Sequence, residues 1–281
     1  MPLYKKNIKM IQDGFTYLVL TLGGIIVLIP FFWMISTSLK LPGNEFAYPP
    51  QWIPKPVIWR NYVVGWTSLP FTRWFFNTVF ITAVAISGSL ISSTLVAYGF
   101  SRFKFPGRNI LFVILLSTMM LPNHILIIPN FIIFKFLGWT NTYLPLTVPA
   151  FLGSNVFHIF LVRQFFMSIP YEMDEGATVD GANSFTVFIR ILLPISRAVL
   201  GIVTVFGFMA SWNNFMGPLI YLHKMSKFTL SIGLRFYQQS DFVETNLTMA
   251  VSILVLLPCI ILFFVAQKYY IQGVVTSGIK G

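Results

Sequence analysis

The chain has 281 residues, of which 56% are hydrophobic and only 10% are charged, with a formal net charge of +11 and a mean hydropathy of +0.76. Soluble domains carry about 25% charged residues, so this composition excludes an ordinary globular protein. The Lys and Arg residues lie between apolar runs rather than on one soluble face. This argues against a nucleic-acid-binding protein and for a membrane protein whose basic residues set its orientation.

Six apolar runs are predicted to cross the membrane as helices, because each reaches about the 20 residues that a helix needs to span roughly 30 Å of hydrocarbon. No segment shows the sustained alternation of a membrane barrel. The predicted fold class is therefore all-α and polytopic, with about six transmembrane helices. The runs cover residues 15–37, 73–100, 109–131, 144–163, 198–221 and 247–267.

The first run is predicted to be an uncleaved span rather than a signal peptide. Lys5, Lys6 and Lys9 precede it, but the run is too long for a signal sequence and lacks a small-residue cleavage site. Between the first and second runs, residues 41–70 are rich in proline and carry three tryptophans, which predicts a mostly irregular cap at the outer membrane interface.

Basic residues predict that both termini face the cytoplasm. An even number of spans places the two termini on one side. Arg102, Lys104 and Arg108 lie in the short turn between the second and third runs, and short loops next to span ends weigh most in setting orientation. That turn is therefore predicted to be cytoplasmic, and so is the connection between the fourth and fifth runs.

This second connection contains four of the chain's eight acidic residues. We call residues 170–194 the acidic segment. Its acidic residues are Glu172, Asp174, Glu175 and Asp180. Such a polar segment, held between two apolar runs, is suited to contact another protein, although a solvated loop is an equally simple interpretation of the charges alone.

The acidic segment is predicted to form a helix, a turn and a second helix. Pro170 suits the first turn of a helix that begins at about Ile169, where the following carboxylates also favour the helix dipole. Gly181 can take the left-handed conformation that ends this helix, and Asn183 or Ser184 can cap the next one. The second helix is expected to lie along the membrane surface on a face of recurring apolar residues. These are Phe185, Phe188, Ile189 and Leu192.

The acidic segment resembles the EAA loop of ABC importer permeases, whose pattern is E-A-A-x3-G-x9-I-x-L-P. The matching residues are Glu175, Ala177, Gly181, Ile191, Leu193 and Pro194. Gly176 departs from the pattern, because the family has alanine there, and glycine within a helix costs up to about 1 kcal/mol relative to alanine. We therefore expect this helix to be less rigid than its family counterparts when it is unbound.

Four further segments resemble the carbohydrate-uptake branch of these permeases, in particular the smaller permease subunit of maltose-type systems. They are AYGFSRFKFPGRN at 97–109, FLVRQFF at 160–166, WNNFMGPLIYL at 212–222 and the terminal QKYYIQGVVTSGIKG. The resemblance covers most of the chain. It implies the fold of a type I importer permease.

The resemblance also implies a division of the chain and a set of coupling residues. Residues 1–70 would hold the tail, the first span and the outer loop, residues 71–267 the permease core with the EAA loop at 168–194, and residues 268–281 a cytoplasmic tail. The end of the chain, residues 272–281, resembles the tail that reaches the ATPase interface in maltose-type permeases, although a frayed end is an equally simple interpretation of these residues. The implied ATPase-coupling residues are Glu172, Asp174, Glu175, Gly176, Ala177, Asp180, Gly181 and Ala182.

The partners implied by the resemblance are a second, homologous permease in a heterodimer, an ABC ATPase dimer and an external solute-binding protein, assembled in a bacterial inner membrane. Trp52 and Trp59 of the outer loop would help to form the surface on which the binding protein docks. The chain contains no G-x-x-x-x-G-K-[ST] phosphate loop and no cluster with metal-ligand spacing. We therefore expect no catalytic or metal-binding residue and no cofactor here, with ATP and Mg²⁺ used by the partner ATPase.

A translocation path is predicted from five polar or amphipathic residues at membrane depth. They are Asn155, His158, Trp212, Asn213 and Asn214. Amides and aromatic faces suit a sugar, but such groups also hydrogen-bond between helices as packing contacts, and for His158 a structural role outweighs a proton relay. Small residues from Ser87 to Thr94 predict a helix-packing face.

Three alternatives differ from a sugar permease. The same EAA loop would serve an importer of another solute, such as glycerol phosphate or a peptide. A secondary transporter or channel would need acidic or basic residues inside its spans as ion or proton relays, and apart from His158 the centres of the spans lack them. A purely structural membrane protein would leave the acidic segment without a purpose.

Overall fold

A computed structural model describes residues 2–122, 124–238 and 244–278, with side chains described for residue 10 and, within those ranges, from residue 12 to residue 267. All the regular secondary structure in these ranges is helical. Short 3₁₀ turns at Thr118–Met120 and Met225–Lys227 and a π-helical turn at Phe188–Leu192 accompany the α-helices. The α-helices are α1 (Pro2–Ser38), α2 (Arg60–Ser68), α3 (Phe71–Arg102), α4 (Arg108–Ser117), α5 (Ile127–Phe136), α6 (Leu144–Phe151), α7 (Val156–Ser168), α8 (Glu172–Val179), α9 (Ser184–Val187), α10 (Leu193–Ile195), α11 (Arg197–Trp212), α12 (Met216–Tyr221), α13 (Leu230–Gln238) and α14 (Thr245–Gly278).

Four described helical stretches are long and apolar enough to cross a membrane, or five if one bent pair counts as a single span. The single stretches are Gln12–Ser38, Phe71–Arg102, Leu144–Ser168 and Thr245–Gln267. The bent pair joins Ser184–Ile195 to Arg197–Trp212 at an angle of 76°. An all-helical, multi-pass membrane fold is thus confirmed, whereas the predicted count of six spans is not.

Three predicted spans are interrupted: the fourth run is divided into α6 and α7, and the third and fifth runs show two local reasons for such breaks. The third run is divided into α4, with its 3₁₀ turn ending at Met120, and α5, which begins at Ile127; Pro122 lies in the break and disfavours a helical residue before it. The fifth run stops at Trp212 and resumes at Met216. There the side chain of Asn214 accepts a hydrogen bond from the backbone of Gly217 at 3.1 Å, which replaces a helical bond.

The chain divides into two compact units, and the first comprises Met1–Leu69 and Phe236–Leu256. Prolines keep residues 41–59 irregular, as predicted, but α2 follows where they are absent. Asn61 donates from Nδ2 to the carbonyls of Ser38 and Lys40 at 2.8 Å each. A Cβ on Gly65 would lie 2.9 Å from Val251 Cγ2, so α2 packs closely against the start of α14.

Lys40 is buried in this first unit although it is charged. Its Nζ lies 4.0 Å from the ring centroid of Trp33 and 3.4 Å from the carbonyl oxygen of Glu45. Burial lowers the pKa of Lys40, and the carboxylate of Glu45 partly offsets this. The aromatic ring and the carbonyl thus stabilise an ammonium group that has lost most of its water.

The second unit, Pro70–Arg235 with Leu257–Gly281, is built around α3, which packs against α6, α7 and α11. The small residues of α3 allow this contact. A Cβ on Gly88 would lie 2.5 Å from the ring of Phe151, and Ser89, Ser92 and Ser93 are buried. The predicted packing face is therefore confirmed from Gly88 to Thr94, whereas Ser87 is exposed.

Candidate functional site

The first helix of the acidic segment, α8, has a well-defined end. Gly181 takes the left-handed conformation at φ 84°, its N–H donates to Thr178 O at 3.0 Å, and Ala182 N donates to Ala177 O at 2.9 Å. These two bonds form a Schellman motif, which confirms the predicted role of Gly181. The predicted start was too early, because α8 begins at Glu172 and Ile169 is extended (ψ 127°), as expected of a residue before proline.

Asn183 caps the second helix of the segment. Its Oδ1 accepts hydrogen bonds from Thr186 N at 2.8 Å and from Thr186 Oγ1 at 2.9 Å, so Asn183, of the two predicted candidates, is the cap. The predicted apolar face was only partly right. Phe188 and Leu192 are buried, but Phe185 and Ile189 are exposed. From Phe188 onward, a π-helical turn changes the helical period on which the prediction relied.

The sequence suggested that all four carboxylates of the segment face water, but one of them does not. Glu172, Glu175 and Asp180 are exposed, whereas Asp174 is buried. Asp174 Oδ2 lies 2.9 Å from Nε of Arg102, the last residue of α3. Burial raises the pKa of Asp174, while the positive charge of Arg102 lowers it, and the net direction is upward. Desolvation therefore outweighs the attraction between the two charges.

The last turns of α3 hold both helices of the acidic segment. Arg102 Nη2 donates to the carbonyl of Ile169 at 3.1 Å, and Tyr98 donates from its hydroxyl to the carbonyl of Ser184 at 2.8 Å. Ala177 and Ala182 are partly buried against the apolar cluster below the segment. The core of that cluster is Ala97, Val162, Phe166, Ile169, Val187, Phe188, Leu192, Val199 and Val203.

The outward side of the segment keeps apolar side chains exposed beside its carboxylates. Met173 is 43% exposed, Val179 87% and Phe185 65%. Gly176 is also exposed, and a Cβ there would meet nothing within 4 Å. This surface combines apolar and acidic groups on short, capped helices, which suits a contact with another protein.

Sequence reasoning missed the parts that α3 plays here. Arg102 was interpreted only as a signal of membrane orientation, and Tyr98 was not singled out. The two residues are one helical turn apart, so they lie on one face of α3. The sequence signal available for this contact was the spacing of Tyr98 and Arg102 at the end of α3. That spacing does not specify which carboxylate Arg102 contacts.

A second candidate site is a small cavity of about 180 Å³ within the second unit, which we call the polar cavity. Among the described residues that line it, none is Lys, Arg, Asp or Glu. They are Ala85, Ser89, Leu146, Ala150, Ser154, Asn155, His158, Gly207, Ala210, Ser211 and Asn214. The cavity thus brings together Asn155, His158 and Asn214 of the predicted translocation path.

Each of the two asparagines lies at a break between helices and accepts a hydrogen bond from the backbone N–H three residues later. Asn155 is the N-cap of α7, and Asn214 lies one residue before the N-cap of α12. Asn155 Oδ1 accepts from His158 N at 3.2 Å at the start of α7, and Asn214 Oδ1 accepts from Gly217 N next to α12. His158 Nδ1 lies 2.8 Å from Ser89 Oγ, and its Nε2 lies 3.4 Å from Asn155 Nδ2. Capping uses the amide oxygens, so the amide nitrogens remain as donors for a hydroxyl-bearing ligand, although that of Asn155 also contacts His158 Nε2.

The other two predicted path residues do not line this cavity. Trp212 is buried and stacks on Phe208, with ring centroids 5.1 Å apart. Asn213 is exposed and donates to Met209 O at 2.9 Å. The predicted ATPase-contacting tail, residues 272–281, continues α14 as backbone helix to Gly278, and its last three residues lie outside the described residues.

Comparisons with known proteins identify the family. Residues 88–276 match the family described as binding-protein-dependent transport system inner membrane component. The chain is 33% identical over 247 residues to the arabinooligosaccharides transport system permease AraQ of Halalkalibacterium halodurans, which covers 88% of this chain and 86% of that protein. It is 32% identical over 274 residues to the sn-glycerol-3-phosphate transport system permease UgpE of Yersinia enterocolitica, covering 94% and 96% of the two.

A solved structure shares the fold. It comes from a bacterial ABC transporter involved in the import of the acidic polysaccharide alginate, with a TM-score of 0.82, 23% identity and coverage of 92% of this chain and 96% of the other. The family match includes the acidic segment, all but one of the residues that line the polar cavity, and most of the helices described above. The chain therefore belongs to the family of inner-membrane components of binding-protein-dependent transport systems.

Proposed function

We propose that the chain is a permease subunit of an ATP-driven importer for a sugar or oligosaccharide, and that it couples to a separate ATPase through the acidic segment. The observation that carries this proposal is the acidic segment itself. It is a pair of capped helices, anchored to α3, whose outer side leaves Val179 and Phe185 exposed next to three carboxylates. Movement of an ATPase bound to this surface would be transmitted to α3, to which the segment is anchored.

Coupling requires that the ATPase contact the segment differently in its two nucleotide states, because a partner shifts a conformational equilibrium only by its difference in affinity for the two conformations. A segment that keeps its shape under load transmits such a difference. The Schellman motif at Gly181 and the Asn183 cap hold the turn between the two helices. The other proposed subunits are a second permease, an ATPase dimer and an external binding protein that docks near Trp52 and Trp59.

A neutral sugar is the solute class that the polar cavity suits best. Its described lining offers hydroxyl, amide and imidazole groups without a charged side chain, and sugars bind through such groups. A glycerol phosphate importer is the second candidate, because UgpE is among the relatives. A phosphate would call for Lys or Arg in its site, so in that case the partner permease would have to supply the cation.

The proposed coupling is tested by isolating the tagged chain from its native membranes in mild detergent. An ATPase and a homologous permease are expected to co-purify. Val179→Arg should lower the amount of ATPase recovered about tenfold or more, because a charge placed in a docked apolar contact costs as much as losing an interface hot spot. Tyr48→Arg is the matched control, since Tyr48 is 96% exposed in the predicted outer loop.

The expected result is that Tyr48→Arg retains the ATPase and that both variants retain the second permease. Failure to recover any ATPase with the unmodified chain would contradict the proposal. Equal loss of ATPase in both variants would also contradict it, because the effect would then not be specific to the acidic segment.

A further inference from the structure

Arg102, at the end of α3, contacts Asp174 in the acidic segment and Ile169 just before that segment. Its Nε lies 2.9 Å from Asp174 Oδ2, and its Nη2 donates to the carbonyl of Ile169 at 3.1 Å. The two side chains are only 7% and 10% exposed, and theirs is the one contact within 4 Å between a basic and an acidic side chain among the described residues. A single guanidinium group thus fixes α8 and the residue that leads into it.

The pair is poorly explained as a source of stability. Burial raises the pKa of Asp174 more than Arg102 lowers it. Among the described residues, Asp174 Oδ1 and Arg102 Nε are both buried without a hydrogen bond, although Nε lies 2.9 Å from Asp174 Oδ2. Apolar side chains of similar volume often stabilise a buried position equally well or better. A planar guanidinium differs from them because it binds its partners in a fixed orientation.

The helix that carries Arg102 also forms a wall of the polar cavity. From Phe71 to Arg102, α3 is one uninterrupted helix, and Ser89 of this helix lines the cavity and contacts His158. At 1.5 Å per residue, Ser89 lies about 20 Å along the helix from Arg102. Tyr98, one turn before Arg102, bonds to the other half of the segment at Ser184.

We propose that Arg102 is a positioning residue for coupling: it holds α8 against α3, so that movement of the acidic segment is passed along α3 to the wall of the polar cavity. This inference rests on the function proposed above, because it needs an ATPase that moves the segment. Without this anchor, α8 could rotate about the turns on either side of it. The ATPase would still bind α8, but movement of the ATPase would then change those turns and not move α3.

The test is a double-mutant cycle with Arg102→Met and Asp174→Leu, each alone and together, in the complete reconstituted transporter. Each single variant leaves one buried charge unpaired, whereas the double variant leaves none. Three quantities are measured: the ATPase recovered with the chain, the thermal unfolding temperature of the complex, and the number of solute molecules transported per ATP hydrolysed. Lys104→Gln and Asp13→Asn, both at exposed charges, are the matched controls.

The double variant is expected to regain the thermal stability that the single variants lose, yet to keep a transport-to-ATP ratio about tenfold below that of the unmodified complex, a factor typical of coupling between sites. ATPase recovery should stay normal throughout. Arg102→Lys, which keeps the charge but not the fork of donors, should give an intermediate ratio.

A transport ratio that recovers together with thermal stability in the double variant would overturn the inference, because the pair would then be structural only. Normal ratios in both single variants would overturn it as well. These outcomes differ from failure of the proposed function, in which the unmodified chain recovers no ATPase and the inference is lost with it. A single variant that does not assemble leaves the double variant and Arg102→Lys to decide.

Discussion

Two glycines, one within α8 and one just beyond its end, show how single residues control the shape of the acidic segment. Gly181 has a positive φ of 84°, whereas Gly176 lies within α8. A Cβ at either position would meet nothing within 4 Å. Any effect of adding a methyl group therefore comes from backbone conformation alone, and the two positions form a natural matched pair.

We expect Gly181→Ala to lower the free energy of local unfolding of α8 by roughly 1–2 kcal/mol, because an L-residue is strained in the left-handed region. Gly176→Ala should raise it by up to about 1 kcal/mol, because alanine favours the helix. Amide hydrogen exchange of residues 172–182 in the purified protein measures both changes. Equal shifts in the same direction would contradict this account of the turn.

The asparagines at the polar cavity allow a separate residue-scale prediction. Asn155→Ser and Asn214→Ser keep an oxygen that can cap the following helix but remove the amide nitrogen that the cavity could present. Each is expected to raise the apparent KM for uptake about tenfold, the effect of one lost hydrogen bond to a neutral ligand. Asn213→Ser is the control, since Asn213 is exposed and does not line the cavity. A changed KM in the control alone would contradict the assignment.

Local chemistry was predictable at this scale, and contacts between distant residues were not. The roles of Gly181 and Asn183 follow from residue type and from the positions of neighbouring residues, so the sequence suffices for them. The pairing of Arg102 with Asp174 depends on how α3 meets α8, which no local pattern encodes. For the same reason Asp174 was expected in water and is buried.

At the scale of helices, the hydrophobic runs correctly located the apolar helical segments but did not predict where the individual helices end. The run at 144–163 divides into α6 and α7, and the run at 198–221 into α11 and α12. In both, an asparagine side chain replaces helical hydrogen bonds, which hydropathy does not register. The two breaks meet at the polar cavity, so the departures from regular helix lie at the candidate site.

Close packing of α13 against α3 gives the prediction that belongs to this scale. A Cβ on Gly233 would overlap the ring of Trp74, which is fully buried and donates from Nε1 to Met225 O at 2.8 Å. We therefore expect Gly233→Ala to destabilise the protein by about 1–3 kcal/mol, the usual cost of overpacking. Thermal unfolding in detergent measures the change.

Gly99→Ala on α3 is the control for this substitution, because a Cβ there meets nothing within 4 Å. It should leave the unfolding temperature unchanged or raise it slightly, since alanine has the higher helix propensity. If Gly233→Ala were as stable as Gly99→Ala, the close approach of α13 to Trp74 would not exist in the protein.

At the scale of the whole molecule, the proposed mechanism needs the acidic segment and the outer loop to lie on opposite sides of the membrane. The basic turn after α3 and the acidic segment are tied together by Arg102, so the two must share one side. From the positive-inside rule we propose that this side is the cytoplasm, where ATP is available to a partner.

Labelling of single cysteines tests this arrangement. The chain has one cysteine, Cys259, which is buried, so Cys259→Ala gives a background without a reactive thiol. In that background Tyr48→Cys is expected to react with a membrane-impermeant maleimide in intact cells, whereas Lys104→Cys and Asp180→Cys should react only after permeabilisation. Lys104→Cys lies outside the proposed ATPase contact, so its reactivity separates membrane orientation from shielding by a partner. Reaction of Lys104→Cys and Asp180→Cys in intact cells would place the segment outside and exclude coupling to a cytoplasmic ATPase.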